Sequence, residues 1–218
     1  MKRFLAVLVP LLAGACAPGS AAVRGTPAPA AVVAPDSFVI RFTTTKGPFD
    51  LKVHRAWAPR GAARLYELTK AHFYDSTRFY RTVDKFMTQF GMNGDTAVGR
   101  AWRDKRILDD TVKISNKRGT LSFASGGRNT RTTQLFINYG DNSRLDTLAS
   151  GGFAVVGEVM TGMNTVVDSL YKGYGELPPR GQAPEQGRIA REGNAYLVKD
   201  FPKLDFIVTA RIVAEWKR

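Results

Sequence analysis

The sequence predicts a mainly β protein, a closed antiparallel barrel of short strands with two α-helices. Three observations lead there. The apolar residues fall mostly in short runs that alternate with polar ones, the period of a strand with one buried face. Those runs are separated by turn residues such as Lys46-Gly47-Pro48 and Asp84-Lys85. Only two stretches, one opening at Ala58-Pro59 and one over Asn164–Leu170, read as helix. At 218 residues the chain suits one domain with appendages, long enough to bury a proper core.

In chain order, Ser37 to Val53 reads as a hairpin. Phe38, Ile40 and Phe42 alternate with Val39 and Arg41, the turn follows, and Phe49, Leu51 and Val53 return. Pro59 suits the first turn of a helix that runs to about Lys70, with Ala62, Leu65, Tyr66 and Leu68 as its apolar stripe. His72 to Asp75 leads into a second hairpin over Phe79 to Phe90. Gly91 to Lys117 is polar and reads as loop, anchored by Trp102 and Ile107-Leu108. Gly119 to Ala124 and Gln134 to Asn138 are strands around a polar loop, Ser125 to Thr133. Phe153 to Val159 is a further strand, Asn164 to Leu170 a short helix, and Glu176 to Lys199 a Pro/Gly-rich excursion. Phe206 to Trp216 closes the chain as a strand, and no internal repeat is present.

The amino terminus is built differently. Residues 1–15 read as an export signal: Lys2 and Arg3 give a positive start, and Phe4 to Leu12 an apolar segment too short to span a bilayer. Leu12-Ala13-Gly14-Ala15-Cys16 resembles the lipobox of bacterial lipoproteins, with the Leu one place further upstream than usual. That resemblance implies a lipid on Cys16 and a periplasmic, membrane-attached protein. The alternative is cleavage after Ala13-Gly14-Ala15 and a soluble periplasmic product. Cys16 is the only cysteine, so an internal disulfide is excluded. Residues 16–36 are rich in Ala, Pro, Gly and Ser and read as a disordered tether, on the order of 25 Å root-mean-square in span. The domain proper is placed at 37–218.

The net charge of +13 is high, and losing residues 1–15 leaves +11 because only Lys2 and Arg3 go with them. Such a field favours anionic surroundings. The basic residues are dispersed and no nucleic-acid motif accompanies them, so nucleic acid is not expected as a partner. With two His and one Cys, a metal hydrolase or a Cys-His nucleophile is poorly served, and no metal or cofactor is expected.

The most informative stretch is Phe79-Tyr80-Arg81-Thr82-Val83-Asp84-Lys85-Phe86-Met87-Thr88-Gln89. A single Arg sits inside an apolar, aromatic run. Its planar, always-charged fork keeps its direction when neighbours pack against it. The plain alternative is an edge hairpin whose Arg faces solvent. A second stretch joins Gly119, Leu121-Ser122-Phe123-Ala124 to Thr133-Gln134-Leu135-Phe136-Ile137. Together these resemble the two signature blocks of the cyclophilins, peptidyl-prolyl cis-trans isomerases that bind cyclosporin. The first block there reads F-H-R-V-x-x-x-F-M-x-Q-x-G, and the second G-x-L-S-M-A followed by S-Q-F-F-I. The spacing from Ser122 to Gln134 matches without a gap, and the resemblance extends from about Ser37 to the C-terminus.

The resemblance implies an eight-stranded closed barrel capped by two helices, acting as a monomer on proline-containing polypeptides, here exported ones, and assisting their folding. It implies that Arg81 is the catalytic donor and that Gln89 holds it. Phe86, Met87, Phe136 and Leu145 would form the apolar pocket for the proline ring, with Phe153 at its rim. Ala124 and Ser125 would bind the backbone ahead of the proline, and Gln134 its carbonyl region. Without the resemblance, Phe86, Met87 and Phe136 read as plain core.

Three departures stand out. Tyr80 replaces the usual His, Phe123 replaces Met, and Arg144 stands where cyclosporin-sensitive members carry Trp. Extra residues over Thr147 to Gly152 loosen the placement of Phe153. Two other classes stay open at this level: a non-catalytic module that binds proline peptides, and a tethered lipoprotein that grips cell-wall polymer with its basic face.

Overall fold

The structure, a computed structural model, describes residues 33–148 and 151–217. The export signal, Cys16 and most of the stretch read as a tether lie outside them. The strands are β1 (Ser37–Thr44), β2 (Gly47–His54), β3 (Arg81–Val83), β4 (Met87–Phe90), β5 (Thr120–Phe123), β6 (Leu135–Asn138), β7 (Val155–Thr161) and β8 (Ile207–Trp216). The helices are α1 (Pro59–Lys70), α2 (Thr96–Arg103) and α3 (Gln186–Asp200). The eight strands form one sheet in the order β3-β4-β6-β5-β7-β2-β1-β8.

The alternation read from β1 and β2 is realised. Phe38, Ile40, Phe42, Phe49, Leu51 and Val53 point into the main core, and Phe42 stacks on Phe49, its cross-strand partner, at 5.0 Å. On the outer face the next pair along, Arg41 and Asp50, closes an ion pair at 2.8 Å. The helix α1 buries Ala62, Leu65 and Leu68 in the same core, and Tyr66 meets Phe38 edge-on. Its N-cap, Ala58, has no side chain to offer. The Asp110 carboxylate takes that role from a distant loop, accepting from the N–H groups of Arg60 (3.0 Å) and Gly61 (2.8 Å).

Several expectations are corrected. The sheet is a curled, open half-barrel, not a closed barrel. Its edge strands β3 and β8 share no ladder; the chain just ahead of β3 meets β8 and its lead-in through the Arg78–Phe206 bridge, backbone bonds from Ser76 and Phe79 N–H to the Ile207 and Asp205 oxygens, and the Asp75–Arg211 ion pair. The reason is visible beside that seam. Tyr80 and Leu204, which flank it, pack with Ile189, Tyr196 and Leu197 of α3 in a second small core. Beyond the bridge, side-chain packing takes over from backbone pairing.

Among the described residues there are three α-helices, not two. Asn164–Leu170 yields only a 3-10 turn at Val167–Ser169, where the β-branched Val166 and Val167 bury themselves without a full helical turn. Within the segment read as loop, Asp95 caps α2 by accepting from the N–H groups of Ala97 and Val98. The excursion supplies α3, whose Pro- and Gly-rich surroundings hid its apolar face. Its kink at Gly193 (φ 60°) brings the backbone so close that a Cβ there would lie 2.1 Å from the Gly94 oxygen.

Trp102 packs on the core as expected, but Leu108 is exposed. The stretch read as tether also ends before residue 36. Ala34 is buried in the main core, and the Asp36 oxygen accepts from Arg55 N–H at 2.9 Å.

Candidate active site

Strand register assembles the site. Arg81 of β3 lies directly opposite Gln89 of β4, and Gln89 lies opposite Phe136 of β6. The three side chains thus stand in a row across adjacent strands. The same alternation that sends Phe90 into the main core sends Met87 and Gln89 to the other face. There Met87, Phe136 and Leu145 form a separate apolar cluster with Val83, Phe86, Ala124 and Phe153. Short strands pin this geometry because a slip of one residue would exchange the two faces.

A cleft of about 340 Å³ opens over the cluster. Its walls include every residue singled out from sequence for this site: Arg81, Phe86, Met87, Gln89, Ala124, Ser125, Gln134, Phe136, Leu145 and Phe153. Gly126, Thr130, Thr132 and Gln186 complete them. Phe153 sits edge-on to Phe136 at 5.6 Å despite the extra residues before it. Its N–H donates to the Leu145 oxygen (3.0 Å), and its own carbonyl accepts from Asn116 Nδ2 (2.8 Å). Gly152 (φ 76°) makes the return possible, since a Cβ there would collide with the Asp146 carbonyl.

The polar side of the cleft is a relay of hydrogen bonds. Arg81 Nη1 donates to Gln89 Oε1 (2.9 Å), and Gln89 Nε2 donates to Gln134 Oε1 (3.0 Å). Guanidinium nitrogens only donate, so Arg81 dictates which end of the Gln89 amide faces it. The Tyr80 hydroxyl also donates to Gln134 Oε1, at 2.6 Å. Tyr80 is fully buried, and burial pushes its phenol far above the usual range, so it stays a neutral donor.

Sequence reasoning missed Glu176. Its carboxylate takes Arg81 as a bidentate pair, with Nη2 to Oε2 at 2.7 Å and Nε to Oε1 beside it, and it is not among the residues that line the cleft. Both side chains are less than one-fifth exposed. The Arg81 guanidinium holds the Glu176 carboxyl below the ordinary carboxylate range. Nothing local signals this pairing, because the two residues are 95 positions apart. Gln186, the first residue of α3, was missed for the same reason.

A family model described as "Cyclophilin type peptidyl-prolyl cis-trans isomerase/CLD" matches residues 39–186, more than half of the chain. The chain belongs to the cyclophilins. Its activity is that of the family, peptidyl-prolyl cis-trans isomerisation. Among curated cyclophilins it is similar to the isomerase cypE of Dictyostelium discoideum, 32% identical over 130 residues, 58% of this chain and 81% of that one. An isomerase of Acinetobacter baylyi is 30% identical over 134 residues, 61% of this chain and 71% of that one. The fold is also that of a solved cyclophilin from Cryptosporidium parvum, with a TM-score of 0.60 at 19% identity, over 82% of this chain and 99% of the other. A second crystal structure of that protein was determined in the presence of the dipeptide Ala-Pro.

Proposed function

We propose that Arg81 is the group that turns the Xaa-Pro bond, acting as a fixed donor to the prolyl nitrogen. That bond resists rotation by about 18–20 kcal/mol because its C–N bond is partly double. Uncatalysed exchange takes tens to hundreds of seconds. As the amide twists, resonance is lost and the nitrogen becomes pyramidal with a free lone pair. A donor aimed at that lone pair binds the twisted state better than the planar one, and only such a difference accelerates the step. Met87, Phe136, Leu145 and Phe153 offer an apolar floor that fits the proline ring. The planar amide, with its charge-separated resonance form, gains more from water than the twisted one does, so this dry floor also favours the twist. No proton is transferred.

The observation that carries this reading is the row Arg81–Gln89–Phe136, which sets a held guanidinium beside an apolar cleft. Proline-containing peptides are the substrate class it supports, and the Ala-Pro dipeptide used with the Cryptosporidium protein is of that kind. Ala124, Ser125 and Gln134, which line the same cleft, would contact the peptide backbone. The test is exchange of an Xaa-Pro peptide followed by NMR. Arg81→Ala should keep the fold while catalysed exchange falls by orders of magnitude, and an unchanged rate would overturn the assignment.

We also propose that the clients are exported proteins and that the enzyme acts from a periplasmic membrane surface. The charged start Lys2-Arg3, the apolar Phe4–Leu12 and Cys16 support this. Incorporation of a labelled fatty acid that disappears in Cys16→Ser is the expected result. Export without label would leave a soluble periplasmic isomerase.

A further inference from the structure

We infer that Glu176 is a positioning residue for catalysis: without lining the cleft itself, it grips the Arg81 guanidinium and leaves two donors free for the substrate. The inference rests on the reading of Arg81 given above. A guanidinium has five N–H donors. Glu176 takes one on Nε and one on Nη2, and Gln89 takes one on Nη1. Two remain, one on each terminal nitrogen. The fork is thus held by two residues with two donors to spare.

Two alternatives to this role are weighed by position and by chemistry. A carboxylate that blocked the site would stand in the cleft, but Glu176 is not among the residues lining it, whereas Arg81 is. A carboxylate that dulled catalysis by neutralising Arg81 would matter most if the target were an anion. The target here is the lone pair of a neutral nitrogen, for which the direction of the donor counts more than net charge. A long side chain fixed in advance also surrenders its rotamer freedom before the substrate arrives.

Glu176 is itself firmly held. Its Oε1 accepts from the N–H of Leu177 at 2.8 Å, and its backbone oxygen accepts from Ala183 N–H at 3.0 Å. The Gln182 N–H donates to the Tyr174 oxygen at 2.9 Å, which closes the loop on itself. Lys172 pairs with Asp84 in the β3–β4 turn at 2.9 Å, and Tyr174 packs on Phe201. The excursion that ends in α3 therefore supplies both the clamp on Arg81 and, through Gln186, part of the cleft wall.

The test is steady-state isomerisation by Glu176→Ala and Glu176→Gln, with Arg81→Ala alongside and circular dichroism as the check on folding. Glu176→Ala should lower kcat about tenfold with KM nearly unchanged, since direction and not substrate contact is lost. Glu176→Gln keeps an acceptor for Leu177 but turns an amide N–H₂ toward the guanidinium, and it should fall between wild type and Ala. The Arg81 Nε–H resonance, sharp and slow to exchange in the wild type, should broaden in both. An unchanged or raised kcat, or a change in KM alone, would overturn the role of Glu176. An Arg81→Ala variant with wild-type activity would instead overturn the isomerase reading of Arg81, so the two failures are separable.

Discussion

The Tyr80 hydroxyl donates to Gln134 Oε1 at 2.6 Å, and that same oxygen accepts from Gln89. The residue that replaces the usual His beside Arg81 therefore bonds to Gln134 at the far end of the relay from Arg81. It ties the second small core, where its ring packs with Tyr196 and Leu197, to the polar relay that ends on Arg81.

Tyr80→Phe should cost about 1 kcal/mol of stability, because Gln134 keeps its bond from Gln89 and no acceptor is orphaned. Tyr80→His should cost more, even though His is the common residue there in the family. Its ring is shorter and would bury an unpartnered polar group among apolar neighbours, at a cost of about 1–3 kcal/mol. Chemical denaturation midpoints rank the three proteins.

The rate should be flat from about pH 5.5 to 9, because no lining group of the cleft titrates in that window. Both histidines, His54 and His72, lie outside it. Burial lowers the pKa of His54 further, so it is neutral through most of that range. A bell-shaped profile of kcat would show a proton transfer that the proposed chemistry does not contain.

Arg81→Lys should be nearly as inactive as Arg81→Ala. An ammonium can answer Glu176 or Gln89 but has no planar fork to satisfy both while leaving donors aimed at the substrate. Xaa-Pro exchange rates check this, and near-wild-type activity would show that charge alone suffices.

Phe136→Leu should keep the fold and raise KM for Xaa-Pro peptides more than it lowers kcat. The ring lies opposite both Gln89 and Ser122 and meets Phe153 edge-on, so it shapes the floor and has no polar atom to take part in the relay. Peptide titrations of both proteins give the two constants separately.

Cyclosporin should inhibit only weakly, because Arg144 holds the place of the Trp found in sensitive cyclophilins. Its guanidinium stands over the Phe86 ring at 5.0 Å and offers no indole N–H. Arg144→Trp should tighten inhibition, as read by the concentration that halves activity. Nanomolar inhibition of the unaltered protein would contradict the argument.

Much of the cleft was legible because most of its residues lie in two short blocks, Phe79–Gln89 and Gly119–Ile137, that resemble the cyclophilin signatures. Once β4 pairs with β3 and β6, Gln89 faces both Arg81 and Phe136. The Asp95 cap of α2 was missed, because the polar run Gly91 to Lys117 reads as loop. The apolar face of α3 was harder to see, since Ile189, Tyr196 and Leu197 are interrupted by the Gly193 kink.

The chain by itself determined the strands and the first helix, because period-two burial and turn residues are local properties, while the membership of the cleft came from the resemblance of its two blocks to the cyclophilins. Only the tertiary structure decided that the sheet stays open at β3 and β8, that a third helix packs beside the seam, and that Glu176 closes on Arg81. Those outcomes depend on contacts between segments far apart in sequence. Charge and burial at such contacts arise from the meeting of two surfaces, and neither surface alone carries them.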